Sequence, residues 1–510
     1  MKELLEELRR RLLEVNDLQM ASALMRWDQA TYMPVGGAEA RGRQLATLSG
    51  LAHAKFTDAA LGSLLDRLDA QAERLPYDSD DASLIRITRR EYEQAVRVPA
   101  EFVSELNGHA ADCFHVWTEA RPANDFKRVR PLLEKTLELS RRYSSYFPGS
   151  ESPADPLIDL SDYGMKASSV RKIFGALRAR LIPLVRAIGE RAPADDTCLA
   201  RKVPADRQLA FGLEVIRSFG YDFRRGRQDL THHPFMTKFS LGDVRITTRV
   251  RENDFTDSLF STLHECGHAL YEQGIRRDFE GTPLASGTSA GVHESQSRLW
   301  ENLVGRSRPF WTHFFPAMQR AFPEALAGTS LDQLYRAINK VERSLIRTDA
   351  DEVTYNLHVM LRFDLELDLL EGRLAVRDLP EAWRSRFRDD IGIDVPDDKD
   401  GVLQDVHWYS GPIGGAFQGY TLGNILSAQF FAAARKAHAG IEKQIEAGEF
   451  ATLHAWLREN VYQHGSKFTA AELVERVTGQ PMSIEPYVSY LWEKYEPLYD
   501  LKGARESVSA

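Results

Sequence analysis

Apolar residues recur along most of this chain at the three- and four-residue spacing of one helix face, with charged residues filling the positions between. Near the start, Leu4, Leu5, Leu8, Leu12 and Val15 form such a stripe. Others run through residues 170–188, 331–345, 355–370 and 451–462. Each predicts a helix, the first of these four broken at Pro183. Residues 235–250 differ: two β-prone runs, 235–240 and 244–250, flank Leu241-Gly242-Asp243 and predict a hairpin. A mostly α fold with one small sheet follows. The turn-rich stretches 148–153 and 396–401 read as linkers, and the chain shows no fixed-period repeat. Nothing in the composition separates its two halves, so a single interwoven domain over residues 1–510 is expected.

Composition narrows the function classes. Hydrophobic residues make up 43% and charged residues 27%, the balance of a globular chain rather than a disordered one. With 65 basic against 74 acidic residues, the net charge of −9 gives no electrostatic footprint for nucleic acid. No apolar run is long enough to span a membrane, and Glu3, Glu6 and Glu7 interrupt any signal-peptide core. Cys113, Cys198 and Cys266 are too few and too scattered for a disulfide framework. A reducing, cytoplasmic location is the expectation.

The chemistry concentrates in His264-Glu265-Cys266-Gly267-His268, an H-E-x-x-H motif. Asp254 is placed to cap a helix, Phe255, Leu259, Leu263 and Leu270 give it a buried stripe, and Gly274 offers an ending. On that helix His264 and His268 lie one turn apart and share a face, so two imidazoles can hold one cation. Glu265 is rotated by about 100°, beside the cation's solvent rather than on the cation, and Cys266 by about 200°, pointing away as a small buried residue.

The third ligand follows by elimination among Glu272, Asp278, Glu280 and Glu294. A metzincin needs glycine at 271 and a ligand at 274, where this chain has Tyr271 and Gly274. Glu272 would have to bend back along the same helix, and Asp278 and Glu280 fall in a short connection. Glu294 opens a helical run over 292–304 that could cross the first helix and present its carboxylate from the other side. Two histidines and a glutamate with an open fourth position make the gluzincin, thermolysin-type arrangement. Position 298 holds an arginine, so the carboxylate that steadies a ligand histidine must come from elsewhere, Glu301 being the candidate. One divalent cation, zinc first and cobalt or manganese as alternatives, would activate water for peptide hydrolysis with Glu265 as the base.

Further segments extend the pattern. They are Trp27-Asp28-Gln29-Ala30-Thr31-Tyr32-Met33-Pro34, His233-Pro234-Phe235, Asp243-Val244-Arg245-Ile246-Thr247, Gly291-Val292-His293-Glu294-Ser295-Gln296, Ile346-Arg347-Thr348-Asp349-Ala350-Asp351, and Gly401-Val402-Leu403-Gln404-Asp405-Val406-His407-Trp408. In this order the sequence resembles the carboxypeptidase Taq family of metallocarboxypeptidases. The resemblance implies a mostly helical fold with a deep groove, the helical part over about 1–150 covering it, one divalent metal, and a homodimer. It implies release of single residues from peptide C-termini with broad specificity, proline excepted. It also supports Glu294 as the third ligand, makes His407 and Tyr420 candidates for steadying the reacting carbonyl, and makes Arg347 a candidate for the substrate carboxylate. The segment 414–420 departs from the family, an aromatic and a proline being absent from Gly414-Gly415-Ala416-Phe417-Gln418-Gly419-Tyr420.

Plainer readings stand beside these. Arg347 and Asp351, four apart on a predicted helix, could form a surface ion pair. Arg245 on the hairpin could hold the carboxylate instead. His233 before proline could shape a turn or face substrate, His407 could be a packed core histidine, and Gln404 could brace its neighbours or touch substrate. Two rival functions remain: a helical oligopeptidase of another H-E-x-x-H family, and a non-catalytic helical binding protein with a metal.

Overall fold

The computed structural model describes residues 1–501. Helices dominate them, from a thirty-residue first helix, Lys2–Thr31, to Glu485–Tyr499 near the C-terminus. Of the first stripe, Leu5, Leu8, Leu12 and Val15 are buried. One continuous cluster of buried apolar side chains runs from Leu5 to Leu501, drawing on the N-terminal, central and C-terminal helices alike.

The sequence stripes map onto helices with three differences. The helix Ala167–Gly189 passes through Pro183 without ending. Proline removes one hydrogen bond and crowds the preceding turn, but Leu177, Leu181, Leu184, Val185 and Ile188 bury one face on both sides of it. The 331–345 stripe is helical only over Leu331–Ile338, where a Ser330–Gln333 capping box starts it. It stops because the Asn339 side chain turns back to donate to the Tyr335 carbonyl at 3.0 Å. The helix expected around Arg347 is a single 3₁₀ turn, Arg347–Asp349. Asp351 accepts the N–H groups of Val353 and Thr354 rather than pairing with Arg347.

The sheet has three strands: β1 (Gln228–Leu230), β2 (Met236–Ser240) and β3 (Asp243–Thr248), in the order β1-β3-β2. β2 and β3 form the expected hairpin, with an irregularity between Lys238 and Ser240. β1 pairs parallel to β3, and its three residues carry no alternation from which it could be predicted. Val244 and Ile246 are fully buried on one side of β3. Arg245, on the other side, reaches the first helix, its guanidinium lying 4.5 Å from the Trp27 ring and 4.9 Å from Phe239. Tyr32 donates to Asp229 at 2.5 Å and Thr231 to the Ala30 carbonyl at 3.1 Å, fastening the N-terminal helices to the sheet.

Candidate metal centre

The motif helix, Phe255–Gly274, begins at Asp254, whose carboxylate accepts the Asp257 N–H. It ends at Gly274, not through a left-handed turn but where a Cβ would lie 2.6 Å from the Cβ of Tyr462. Across it runs the helix Ala290–Arg298, capped by Ser289. Gly267, inside the motif, makes the crossing possible: a Cβ there would lie 2.5 Å from the Gln296 carbonyl oxygen and 2.6 Å from Ser297 Cα. A third helix, Gln418–Ala437, presses on Glu294 in the same way, because Gly423 leaves room where a Cβ would meet Glu294 Cγ at 2.5 Å.

These close approaches bring His264, His268 and Glu294 together, one ligand atom of each lying within 4.8 Å of the others. Glu294 Oε2 is 3.7 Å from His264 Nε2 and 3.4 Å from His268 Nε2. The other ring nitrogens are engaged: His264 Nδ1 lies 2.9 Å from Glu301 Oε2, and His268 Nδ1 lies 2.6 Å from His293 Nδ1. Both Nε2 lone pairs are thereby left facing one carboxylate oxygen, a nitrogen–nitrogen–oxygen set that fits a divalent cation. The other acids weighed as ligands point elsewhere. Glu272 pairs with Lys238 and His293, Asp278 with Arg276, and Glu280 accepts the Leu241 N–H.

Glu301 reaches His264 because the chain loosens into a π-helix over Leu299–Val304, a local widening common at functional sites. Arg298 spans both acids, donating to Glu294 Oε1 at 2.7 Å and to Glu301 Oε2 at 3.2 Å. Burial works against ionising these acids, but Arg298 and the imidazoles hold Glu294 well below the carboxylate range and Glu301 at about 2. Glu265, 7% exposed, is different. Burial, with Glu294 and Glu301 nearby, pushes its carboxyl up to about 7 against the pull of His264 and the Met236 N–H. Burial carries His268 down to about 4, which leaves its imidazole neutral. Cys266 is fully buried and faces away.

A second group forms around Asp405. Its carboxylate accepts from Arg347 Nε at 2.6 Å, Arg362 Nε at 2.9 Å and His407 Nδ1 at 2.5 Å. His407 Nε2 in turn lies 3.1 Å from the Tyr420 hydroxyl, and Arg347 Nη1 donates to Tyr355 at 3.0 Å. Three of the five N–H donors on Arg347 are thus used and two remain. Arg245 is paired through both Nε and Nη2 with Asp243 and lies against the Trp27 and Phe239 rings. Gln404 accepts from Arg347 N and Arg362 Nη2 and donates to Leu345 and Asp400, so its bonds are all made inside the protein. Partial burial and then the cationic Arg249 and Arg347 hold the His233 imidazole below its ordinary value. In the altered segment, buried Gln418 donates to Ser161 and Asp162, and Phe417 lies against His407. A polar cavity of about 310 Å³ opens beside Arg298, Tyr355 and the Thr348–Ala350 segment.

Sequence reasoning missed His293, Tyr355 and Arg362. His293 sits next to Glu294 in the sequence, which is a signal; Tyr355 and Arg362 fall on an apolar helical stripe that carries none.

Comparison with known proteins shows the family. The profile described as carboxypeptidase Taq (M32) metallopeptidase matches residues 7–495. The chain is 42% identical to thermostable carboxypeptidase 1 of Thermus thermophilus, over 94% of this chain and 96% of that one. It is 35% identical to carboxypeptidase 1 of Bacillus subtilis, over 96% and 97%. The crystal structure of an M32 carboxypeptidase from Deinococcus radiodurans superimposes with a TM-score of 0.94 at 54% identity, covering 98% of this chain and all of that one. With an H-E-x-x-H helix crossed by a glutamate helix in a mostly helical fold, the chain belongs to the carboxypeptidase Taq (M32) family of metallopeptidases.

Proposed function

We propose that this metallocarboxypeptidase releases single residues from the C-termini of peptides with broad specificity and disfavours proline. It does so with one zinc-type divalent cation held by His264, His268 and Glu294. The observation that carries the reading is the convergence of two Nε2 atoms and one carboxylate oxygen beside a buried, proton-accepting Glu265. The cation, when bound, lowers the pKa of water and polarises the substrate carbonyl.

The protein's own groups supply the rest. Glu265 accepts the proton of the attacking water and returns it to the leaving amine. The Tyr420 hydroxyl, which lies 3.1 Å from His407 Nε2, donates to the carbonyl oxygen as it becomes negative; its contact with His407, itself paired with Asp405, supports the reading. The two free donors of Arg347 take the terminal carboxylate, its planar fork being suited to two parallel bonds. Residues 1–510 act as one catalytic unit, the first 150 or so covering the groove, and the working form is a cytoplasmic homodimer. No helix among the described residues is long and apolar enough to cross a membrane.

Metal analysis of the native chain and of Glu265→Gln tests the reading. Both should hold one divalent cation per chain, and only the native chain should hydrolyse peptides. A fully loaded native sample with no hydrolysis would make the protein a non-catalytic binder. Dipeptide or internal cuts would make it an oligopeptidase.

A further inference from the structure

We infer that His293 is a positioning residue of the metal centre, accepting the Nδ1 proton of His268 so that the Nε2 lone pair of His268 stays turned toward Glu294. The inference rests on the metal-centre reading above and concerns how the chain holds its ligand.

The proton positions follow from the donors and acceptors alone. An imidazole that binds a cation through Nε2 carries its proton on Nδ1. The partner of His268 Nδ1 is His293 Nδ1, 2.6 Å away, so His293 must accept there and hold its own proton on Nε2. That Nε2 lies 3.0 Å from Glu272 Oε1, an acceptor. Glu272 is kept as a carboxylate by Lys238 Nζ, 2.6 Å from Oε2, and by the Gly287 N–H, 3.1 Å from Oε1. Lysine, carboxylate, imidazole and imidazole thus form one line in which each hydrogen bond has a single permitted direction. The two ligand histidines are steadied differently: His264 meets a carboxylate directly at 2.9 Å, whereas His268 meets one through the His293 ring.

The surroundings fix the His293 ring. It lies between the Tyr271 ring, 5.3 Å away, and the His268 ring, 4.6 Å away. The Gly287 backbone folds over it so closely that a Cβ there would lie 2.6 Å from His293 Cδ2. The acceptor is therefore held in place before any cation arrives. Groups outside the ligand set that orient a metal-binding histidine typically change metal affinity by about 10–100-fold.

The test measures binding of cobalt(II) and zinc(II) to the full chain by competition with a chromogenic chelator. Thermal unfolding of each metal-free variant checks the fold. His293→Leu fills the space without an acceptor and should bind about 10–100-fold more weakly than the native chain. His293→Asn puts a carbonyl oxygen near the same point and should stay within about threefold. Native-like affinity in His293→Leu, or equal weakening in both variants, overturns the inference. A native chain that binds neither metal overturns the metal centre itself, and this inference with it. Should His293→Leu fail to fold, nitrogen-15 histidine spectra of the zinc-loaded native chain decide, with His293→Asn assigning the His293 signals. Protons on His268 Nδ1 and His293 Nε2 support the arrangement, and a proton on His293 Nδ1 contradicts it.

Discussion

At the scale of single residues, His264, Glu265 and His268 take their relative positions from a single stretch of helix. A turn of 3.6 residues sets His264 and His268 side by side with Glu265 just off their line, so the spacing alone pointed to ligand and base. Glu301, the candidate carboxylate behind a ligand histidine, does lie 2.9 Å from His264 Nδ1, whereas His293 was harder to read because it acts across the crossing of two helices, which periodicity within one element does not encode. Tyr420 supplies a prediction at this scale. Tyr420→Phe keeps the ring against Tyr355 and Arg347 but removes the hydroxyl that lies 3.1 Å from His407. Its kcat should fall about 10²-fold, the usual loss for one donor to a developing oxyanion, with KM nearly unchanged. Steady-state kinetics measure both, and a rise in KM alone would remove Tyr420 from that role.

At the scale of elements, glycine placement decides whether the ligands meet. Gly423→Ala forces a methyl group into Glu294 and should cost about 1–3 kcal/mol of stability as overpacking, with weakened metal binding. Gly50, inside the helix Ala38–Phe56, has nothing within 4 Å of its would-be Cβ. Gly50→Ala should instead stabilise by up to about 1 kcal/mol through helix propensity. Urea unfolding and chelator competition on the two variants test the contrast; equal effects would deny the special packing at Gly423. The same scale shows where sequence patterns mislead. Pro183 breaks a periodicity but not a helix whose face is buried on both sides, and the stripe after Ile338 belongs to chain that Asn339 has already turned aside. β1, at three residues, is held by its pairing to β3 rather than by any preference of its own.

At the scale of the whole molecule, buried charge ties stability to solution conditions. Glu366 is fully buried beside Trp408, whose Nε1 donates to it at 2.9 Å. Burial raises its pKa to about 8, so the folded state holds a proton that the unfolded chain has lost above its ordinary value of 4.5. The contribution of Glu366 is therefore present in acid and disappears as pH rises through about 8, a loss of about 2–3 kcal/mol between pH 6 and pH 9. Glu366→Gln cannot titrate and should flatten that part of the stability profile, as urea unfolding at the two pH values would show. An unchanged slope would assign the dependence to other groups. Metal removal acts on the same ledger: Glu294 and Glu301 are held ionised in the interior. Cation at a thousandfold excess over its Kd should stabilise the fold by about 4 kcal/mol, visible as a lower unfolding midpoint after chelation.

The most direct test of the whole account is the product pattern from one peptide offered with a free C-terminus and, separately, with that end amidated. Mass spectrometry with the metal-loaded protein should show a ladder of successive single-residue losses from the free end, and no loss from the amidated one. Internal fragments, or equal cleavage of both peptides, would contradict it.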